Sequence, residues 1–370
     1  MSATPWPPSA CRRLGARSLP LTRSTIVSSF CHLYGHNRSV SNRYLNTGNH
    51  VAYKRFTGRK STPEEVASLY DGLKSAQLND FDVLLSGYCP SAALVEEVGK
   101  IGRELRSNAT RKNRPGSFFW VLDPVMGDNG RIYVAEDTVP VYKSLLTHAD
   151  LILPNQFEAE LLSGVKISDL NSMHTAIQTL HATHNIPHVL VTSIRLPSSS
   201  SATPSSAEND LSASAKLSVV GSTRTCDGSP RLFRITVPSL PIFFSGTGDM
   251  FAALMVARLR QAAAEANLLE KRSWLSPDDV APKELPLARA AERVLASMHA
   301  VLKDTAARYE HVAGESEKEG AQGFTTEEAE TARHLRLTKA AEVRVVRGAK
   351  WLRDPPALIE GFEATTVVLD

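Results

Sequence analysis

A glycine-rich turn followed by an acid is where this sequence could do chemistry. Residues 243–254 read FFSGTGDMFAAL: a short apolar run, a Gly-Thr-Gly turn, an aspartate and the first turns of an apolar helix. Gly246 and Gly248 lack Cβ atoms, so the backbone there can bend tightly and approach a ligand. Thr247 stands between them. The first N–H groups of the following helix have no intrahelical partner, and the helix dipole favours an anion beside them. Asp249 adjoins that anion hole. A carboxylate so placed can take a proton from an attacking hydroxyl while the amides take up charge on a transferring phosphoryl group. The plainer reading makes Asp249 a helix cap. Four residues do not decide between them.

The elements around this turn make the stronger case. Residues 62–76 (TPEEVASLYDGLKSA) carry a Thr cap, Pro at the first helical position and acids behind it. Residues 81–88 (FDVLLSGY) read as a buried strand. Residues 91–107 read as an amphipathic helix, and 117–128 (SFFWVLDPVMGD) as a strand ending in two aspartates. Helix is expected over 138–149, strand, turn and helix over 150–164, helix over 173–185, and strand over 188–193. Such alternation predicts βαβ units and a parallel sheet covered by helices. Two strand-like runs (KLSVVGS and RLFRITVP), the glycine turn, a charged linker near 270–284, a long helix over 287–309 and a final edge strand (EATTVVLD) complete the chain.

In an open α/β sheet, ligands bind beyond the carboxyl ends of the strands. The informative polar residues fall there. Asp123 and Asp128 follow one strand, Asn155 and Glu158 the next, and Thr192 and Ser193 end a third. Carboxylates suit Mg²⁺, which bridges acids and substrate phosphates. Each residue also has a plain structural reading: a turn for 123–128, a first-turn helix acid for Glu158, strand packing for Thr192. Their joint placement beside an anion hole favours the functional one. No Walker A pattern occurs, and no G-x-G-x-x-G follows a strand. His181, His184 and His188 surround a helix end and are expected as surface or capping residues, not metal ligands.

Composition sets outer bounds. The 370 residues are 42% hydrophobic and 22% charged, ordinary for a globular domain. The net charge of +3 hides an asymmetry, since residues 1–63 hold ten Lys or Arg and no acid, leaving the remainder at −7. A nucleic-acid surface is not expected on the body, nor is a membrane span, which needs about 18 apolar residues in a row. Cys11, Cys31, Cys89 and Cys226 show no paired spacing, so a reduced chain without disulfide or zinc site is expected.

Residues 1–48 are atypical. Abundant Arg and Ser and missing acids fit a mitochondrial transit peptide, but Pro5, Pro7, Pro8 and Pro20 disfavour it. A disordered tail is the default. A third reading is a mis-assigned gene segment: permissible codons for residues 1–25, read two bases later, can spell a V-G-N turn and a helix-like run. Residues 49–370 are expected as one domain, with polar insertions near 197–214 and 313–330.

The stretches SGY (86–88), DPVMGD (123–128), RIYVAEDTVPVYK (131–143), ADLILPNQFEAELLSG (149–164), VTS (191–193) and SGTGDMFAAL (245–254) resemble pyridoxal kinases, in the ribokinase-like superfamily. The resemblance runs from about residue 49 to the end, apart from the insertions. It implies a three-layer sandwich with a mostly parallel central sheet and helices on both faces. It implies ATP-dependent phosphorylation of the 5′-hydroxymethyl of pyridoxal, pyridoxine or pyridoxamine, with ATP, Mg²⁺ and a monovalent cation. Asp249 would be the base, and Gly246, Thr247 and Gly248 the anion hole. Asp123, Asp128 and Glu158 would serve metal and phosphates, with Asp128 and Glu158 the metal ligands. Asn155, Thr192 and Ser193 would contact nucleotide phosphates, and Tyr133 would lie in a flap over the nucleotide. Tyr88 would border the pyridine ring.

The chain departs from the family in two contacts and one element. Val51 stands in the substrate site where the family has threonine, and Leu153 replaces a threonine near ATP. The family's first strand and its glycine turn are not evident, so a missing N-terminal strand is expected. The alternatives are a hydroxymethylpyrimidine kinase and a catalytically impaired nucleotide-binding homologue. The resemblance further implies a homodimer acting in the cytoplasm, with the nucleus as second compartment.

Overall fold

The computed structural model describes residues 25–27, 60–111, 114, 116–195, 216–244, 246–320, 327–357 and 361–369. In chain order the elements are β1 (Thr25–Val27), α1 (Pro63–Ser75), β2 (Val83–Ser86), α2 (Ala92–Arg111), β3 (Phe119–Leu122), β4 (Gly127–Asp128), β5 (Arg131–Ile132) and α3 (Thr138–Leu145). Then follow β6 (Leu151–Ile152), α4 (Gln156–Ser163), α5 (Leu170–His184), β7 (His188–Ile194), β8 (Lys216–Arg224) and β9 (Pro230–Pro238). The last are α6 (Thr247–Glu265), α7 (Pro286–Gly320), α8 (Glu327–Ala340), α9 (Ala349–Arg353) and β10 (Thr365–Thr366).

Local chemistry sets many of the helix starts. Thr62 accepts from the Glu65 amide at 3.3 Å, Glu65 Oε2 accepts from the Thr62 amide at 3.0 Å, and Pro63 opens α1. Asn155 with Glu158 and Asp169 with Ser172 repeat the reciprocal cap at α4 and α5.

One sheet of eight strands, in the order β1-β2-β3-β6-β7-β8-β9-β10, forms the middle layer among the described residues. The pairings from β1 through β7 are parallel, and those from β7 through β10 are antiparallel. Alternate residues of each strand serve opposite faces. Leu84, Trp120, Leu122, Ile152 and Val189 join the core under α1 to α5. Val83, Leu85, Phe119, Val121, Leu151 and Leu190 join a second core with α6 and α7. The fold is therefore the expected three-layer α/β sandwich, with a mostly parallel sheet and helices on both faces.

Several expectations need correction. The first strand is not missing: Thr25–Val27 pairs in parallel with β2, Thr25 opposite Val83. The expected strand over 117–128 ends at Leu122. Gly127–Asp128 instead forms a small antiparallel ribbon with Arg131–Ile132, because the Asp123-Pro124 turn breaks the run. The helix expected over 287–309 continues to Gly320, into the segment read as a solvated insertion, and α8 begins in the rest of that segment. His181 and His188 are buried, not at the surface. Val51, Cys11, Cys31, most of residues 1–48 and the insertion at 197–214 lie outside the described residues. The edge strand expected at the C-terminus is β10, antiparallel to β9. No helix among the described residues is long and apolar enough to cross a membrane.

Candidate active site

The carboxyl ends of β2, β3, β6 and β7 share one edge of the sheet because these strands are parallel and adjacent. At the end of β2, Ser86 is buried and its Oγ accepts from the indole Nε1 of Trp120 at 2.8 Å. The amide of Asp123 donates to the Ser86 carbonyl at 2.7 Å, so the turns after β2 and β3 are joined by backbone. Tyr88 is half-buried at the end of the first of these turns.

The turn after β6 is built around one side-chain pair. Asn155 Oδ1 accepts from the Glu158 amide, and Glu158 Oε2 accepts from the Asn155 amide, each at 2.9 Å. Glu158 Oε1 also accepts from the amides of Met126 at 2.9 Å and Gly127 at 3.4 Å. The Asn155 side-chain Nδ2 donates to the Gly127 carbonyl at 2.7 Å. The ribbon carrying Asp128 is thereby tied to the first turn of α4. Tyr133 follows the ribbon, its amide donating to the Met126 carbonyl at 3.1 Å while its side chain is 58% exposed and the rest covered. Thr192 forms an isolated parallel bridge with Asn155, and its amide donates to the Pro154 carbonyl at 2.9 Å. Ser193 sits at a register break in β7 with φ of 55°, exposed beside Thr192.

The glycine turn closes this edge. Gly246 caps α6 with φ of 84°, a left-handed conformation that a residue with a Cβ adopts only with strain. Among the described residues, nothing lies within 4 Å of where a Cβ would stand on Gly246 or Gly248, so the space above the helix start is open to them. Thr247 opens α6 and Asp249 lies in its first turn. Helix-start amides, the helix dipole and open space together make an anion cradle.

The site is rich in negative charge. Burial pushes the Asp123 carboxyl well above the ordinary range, and the carboxylates of Glu158 and Asp249 push it further. Burial raises Glu158 to about 7, against the lowering effect of the Asn155, Met126 and Gly127 amides. Partial burial likewise raises Tyr133, with Glu158, Asp123, Asp128 and Tyr88 adding to the shift. These residues thus lie within electrostatic reach of one another.

For a magnesium ion the donors fit in part. Repelling carboxylates at Asp123, Glu158 and Asp249 are a setting that a dication relieves. The two acids expected as metal ligands are otherwise engaged. Asp128 is exposed, and its oxygens accept from the Asn129 amide at 2.8 Å and side chain at 3.0 Å. Glu158 is committed to three backbone amides. Among the described residues no three His, Cys, Asp or Glu side chains form a preassembled metal cluster. Asp123 is the acid whose raised proton affinity a cation would most directly offset.

The structure brings Tyr88, Asp123, Asp128, Tyr133, Asn155, Glu158, Thr192, Ser193, Gly246, Thr247, Gly248 and Asp249 to one edge of the fold. Val51 lies outside the described residues. Three contributors carried no signal of their own in the sequence. Trp120 holds Ser86 from within β3, and the Met126 and Gly127 amides act through backbone alone.

Three comparisons bear on this site. A family model for phosphomethylpyrimidine kinase matches residues 104–225. A putative pyridoxal kinase of Schizosaccharomyces pombe is 32% identical over 76% of this chain and 85% of its own length. Pyridoxal kinase of Sus scrofa is 33% identical over 73% and 74%. Among solved structures, pyridoxal kinase from Leishmania donovani in complex with ADP and pyridoxamine superposes with a TM-score of 0.61 at 26% identity, covering 84% of both chains. With identity sustained over that share of each chain, this protein belongs to the pyridoxal kinase family of the ribokinase-like superfamily.

Proposed function

We propose that the chain transfers the γ-phosphoryl group of ATP to the 5′-hydroxymethyl group of pyridoxal, pyridoxine or pyridoxamine. The observation that carries this reading is Asp249 in the first turn of α6, beside an open Gly246–Gly248 cradle and within electrostatic reach of Asp123. The ADP and pyridoxamine bound by the Leishmania donovani relative correspond to one product and one substrate of that reaction.

In this mechanism the Asp249 carboxylate accepts the hydroxyl proton as the substrate oxygen bonds to the γ-phosphorus and ADP departs. Proton abstraction of this kind contributes about 10²–10⁴-fold. The α6 amides hold the transferring group, where charge accumulates. Asn155, Thr192 and Ser193 face the nucleotide phosphates, and Tyr133 covers them. Tyr88 lies beside the pyridine ring, and Val51 contributes to the same pocket. A magnesium ion held by Asp123 and the nucleotide phosphates would neutralise charge on the β- and γ-oxygens. Asp128 and Glu158 shape that position, Glu158 by fixing the turn after β3. A monovalent cation has the same acidic setting to draw on. Family membership also supports a homodimer and a cytoplasmic site of action, checked by light scattering and by imaging a tagged chain.

The test is turnover of pyridoxal with ATP and Mg²⁺, followed by product absorbance, with hydroxymethylpyrimidine as competing acceptor. Turnover of pyridoxal that vanishes in Asp249→Asn, with ATP binding kept, supports the reading. Preference for hydroxymethylpyrimidine, or ATP binding without turnover in the unaltered chain, overturns it.

A further inference from the structure

Tyr142 is one of the largest fully buried side chains, at 1% exposure, yet it is a polar residue in the middle of α3. Its phenol reaches across 55 residues of sequence to the turn after β2 and donates to the Gly87 carbonyl at 3.2 Å. Cys89, itself buried, lies within electrostatic reach of the same hydroxyl. One hydroxyl thus holds the peptide that leads into Tyr88.

The rest of that turn is held equally firmly. Ser86 is fixed by the Trp120 indole through its side chain and by the Asp123 amide through its carbonyl. Residues 86 and 87 are each anchored, residue 89 is buried, and Tyr88 alone projects half-exposed from the set. A buried hydroxyl costs free energy unless it is hydrogen-bonded, and here its bond is made to the peptide that leads into Tyr88. The helix that carries Tyr142 also begins shortly after Tyr133, which lies within electrostatic reach of Tyr88.

We infer that Tyr142 is a positioning residue for the acceptor substrate: through the Gly87 carbonyl it fixes the backbone that leads into Tyr88, and so the face that Tyr88 presents to the pyridine ring. This rests on the proposed function for the identity of the acceptor, but not for the clamp itself. The fixed face lowers the ordering cost of binding the ring and leaves the phosphate cradle, on a different element, unaffected.

The experiment is Tyr142→Phe in the full chain, which keeps the ring and removes the hydrogen bond to Gly87. The KM for pyridoxal is expected to rise about tenfold, the upper scale of one lost hydrogen bond, with the KM for ATP and kcat little changed. In a Tyr88→Ala background the same substitution is expected to leave the pyridoxal KM almost unmoved, because the residue it acts through is gone. Equal losses toward ATP and pyridoxal, or an effect that persists undiminished without Tyr88, would overturn the inference. Hydrogen exchange separates this outcome from failure of the proposed function. If the unaltered chain phosphorylates no pyridoxal, that function fails, and the clamp is judged on the amides of residues 87–89. Slow exchange that becomes fast in Tyr142→Phe upholds it, and unchanged exchange sinks it.

Discussion

Asn155 and Glu158 hold each other through two reciprocal hydrogen bonds of 2.9 Å, and the other Glu158 oxygen reaches back to the amides of Met126 and Gly127. One carboxylate therefore sets the relative position of α4 and of the turn after β3. Glu158→Ala leaves three buried amides without an acceptor, a loss of roughly 1–3 kcal/mol for each that finds no water. Glu158→Gln is nearly isosteric but turns an NH₂ toward one set of N–H donors. Both variants are expected to raise the KM for ATP about tenfold or more, with a lowered thermal midpoint. Steady-state kinetics alongside a melting curve checks this. A glutamine variant with native KM and midpoint would show that the amides do not depend on the carboxylate.

Gly246 and Gly248 separate conformation from space. Gly246 has φ of 84°, so Gly246→Ala is strained whatever surrounds it, by about 1–2 kcal/mol. Gly248 lies inside α6, and among the described residues nothing comes within 4 Å of where an alanine methyl would stand. Alanine there favours the helix by about 1 kcal/mol. Yet the methyl projects into the cradle. Gly248→Ala is expected to melt no lower than the parent chain while kcat/KM for ATP falls at least about tenfold, because the phosphate can no longer approach the amides. Melting curves and kinetics on the same preparations decide it, and full activity in Gly248→Ala would place the phosphate elsewhere.

Much of this arrangement is legible in the sequence because it is local. Apolar runs of four to seven residues ending in Gly, Asp, Asn or Ser mark both the buried strands and the edge where ligands bind. The caps at Thr62 and Asn155 can be read from spacing alone. What escapes is what depends on distant partners or on very short pairing. Thr25, Ile26 and Val27 are three β-branched residues in a row, a real strand signal, but too brief to stand out among Arg and Ser. The Tyr142 clamp spans 55 positions, and no periodicity announces it. Asp128 looks like a strand-end ligand in the sequence, but Pro124 turns the chain into a ribbon where Asn129 occupies its carboxylate. His181 and His188 look like surface residues near a helix end, because a buried histidine is recognisable only by its partners.

Those partners make a prediction about pH. His181 Nδ1 meets the Ile186 carbonyl at 2.7 Å and Nε2 the Ser222 hydroxyl at 2.9 Å. His188 Nε2 meets the Ser273 carbonyl at 2.7 Å and Nδ1 the Thr223 hydroxyl at 2.8 Å. A carbonyl only accepts, so Nδ1 of His181 and Nε2 of His188 carry the proton, and the remaining nitrogen accepts from the hydroxyl. Both rings are then satisfied in the neutral form. Burial lowers each to about 4, with Arg224 pressing the same way on both, while Asp150 partly offsets the shift at His188. The unfolded chain takes up these protons near pH 6.5 and the folded chain only near 4, so stability falls as pH drops between about 6.5 and about 4. The limit is on the order of 3 kcal/mol for each ring. Glu158 and Asp123 work in the opposite sense, since raised carboxyl affinities favour the folded state at low pH. A comparison between chains removes that contribution. Urea unfolding of the parent and of His188→Gln across this range is expected to show a shallower acid loss in the variant. Equal slopes would mean that the His188 ring protonates in place without unfolding the chain.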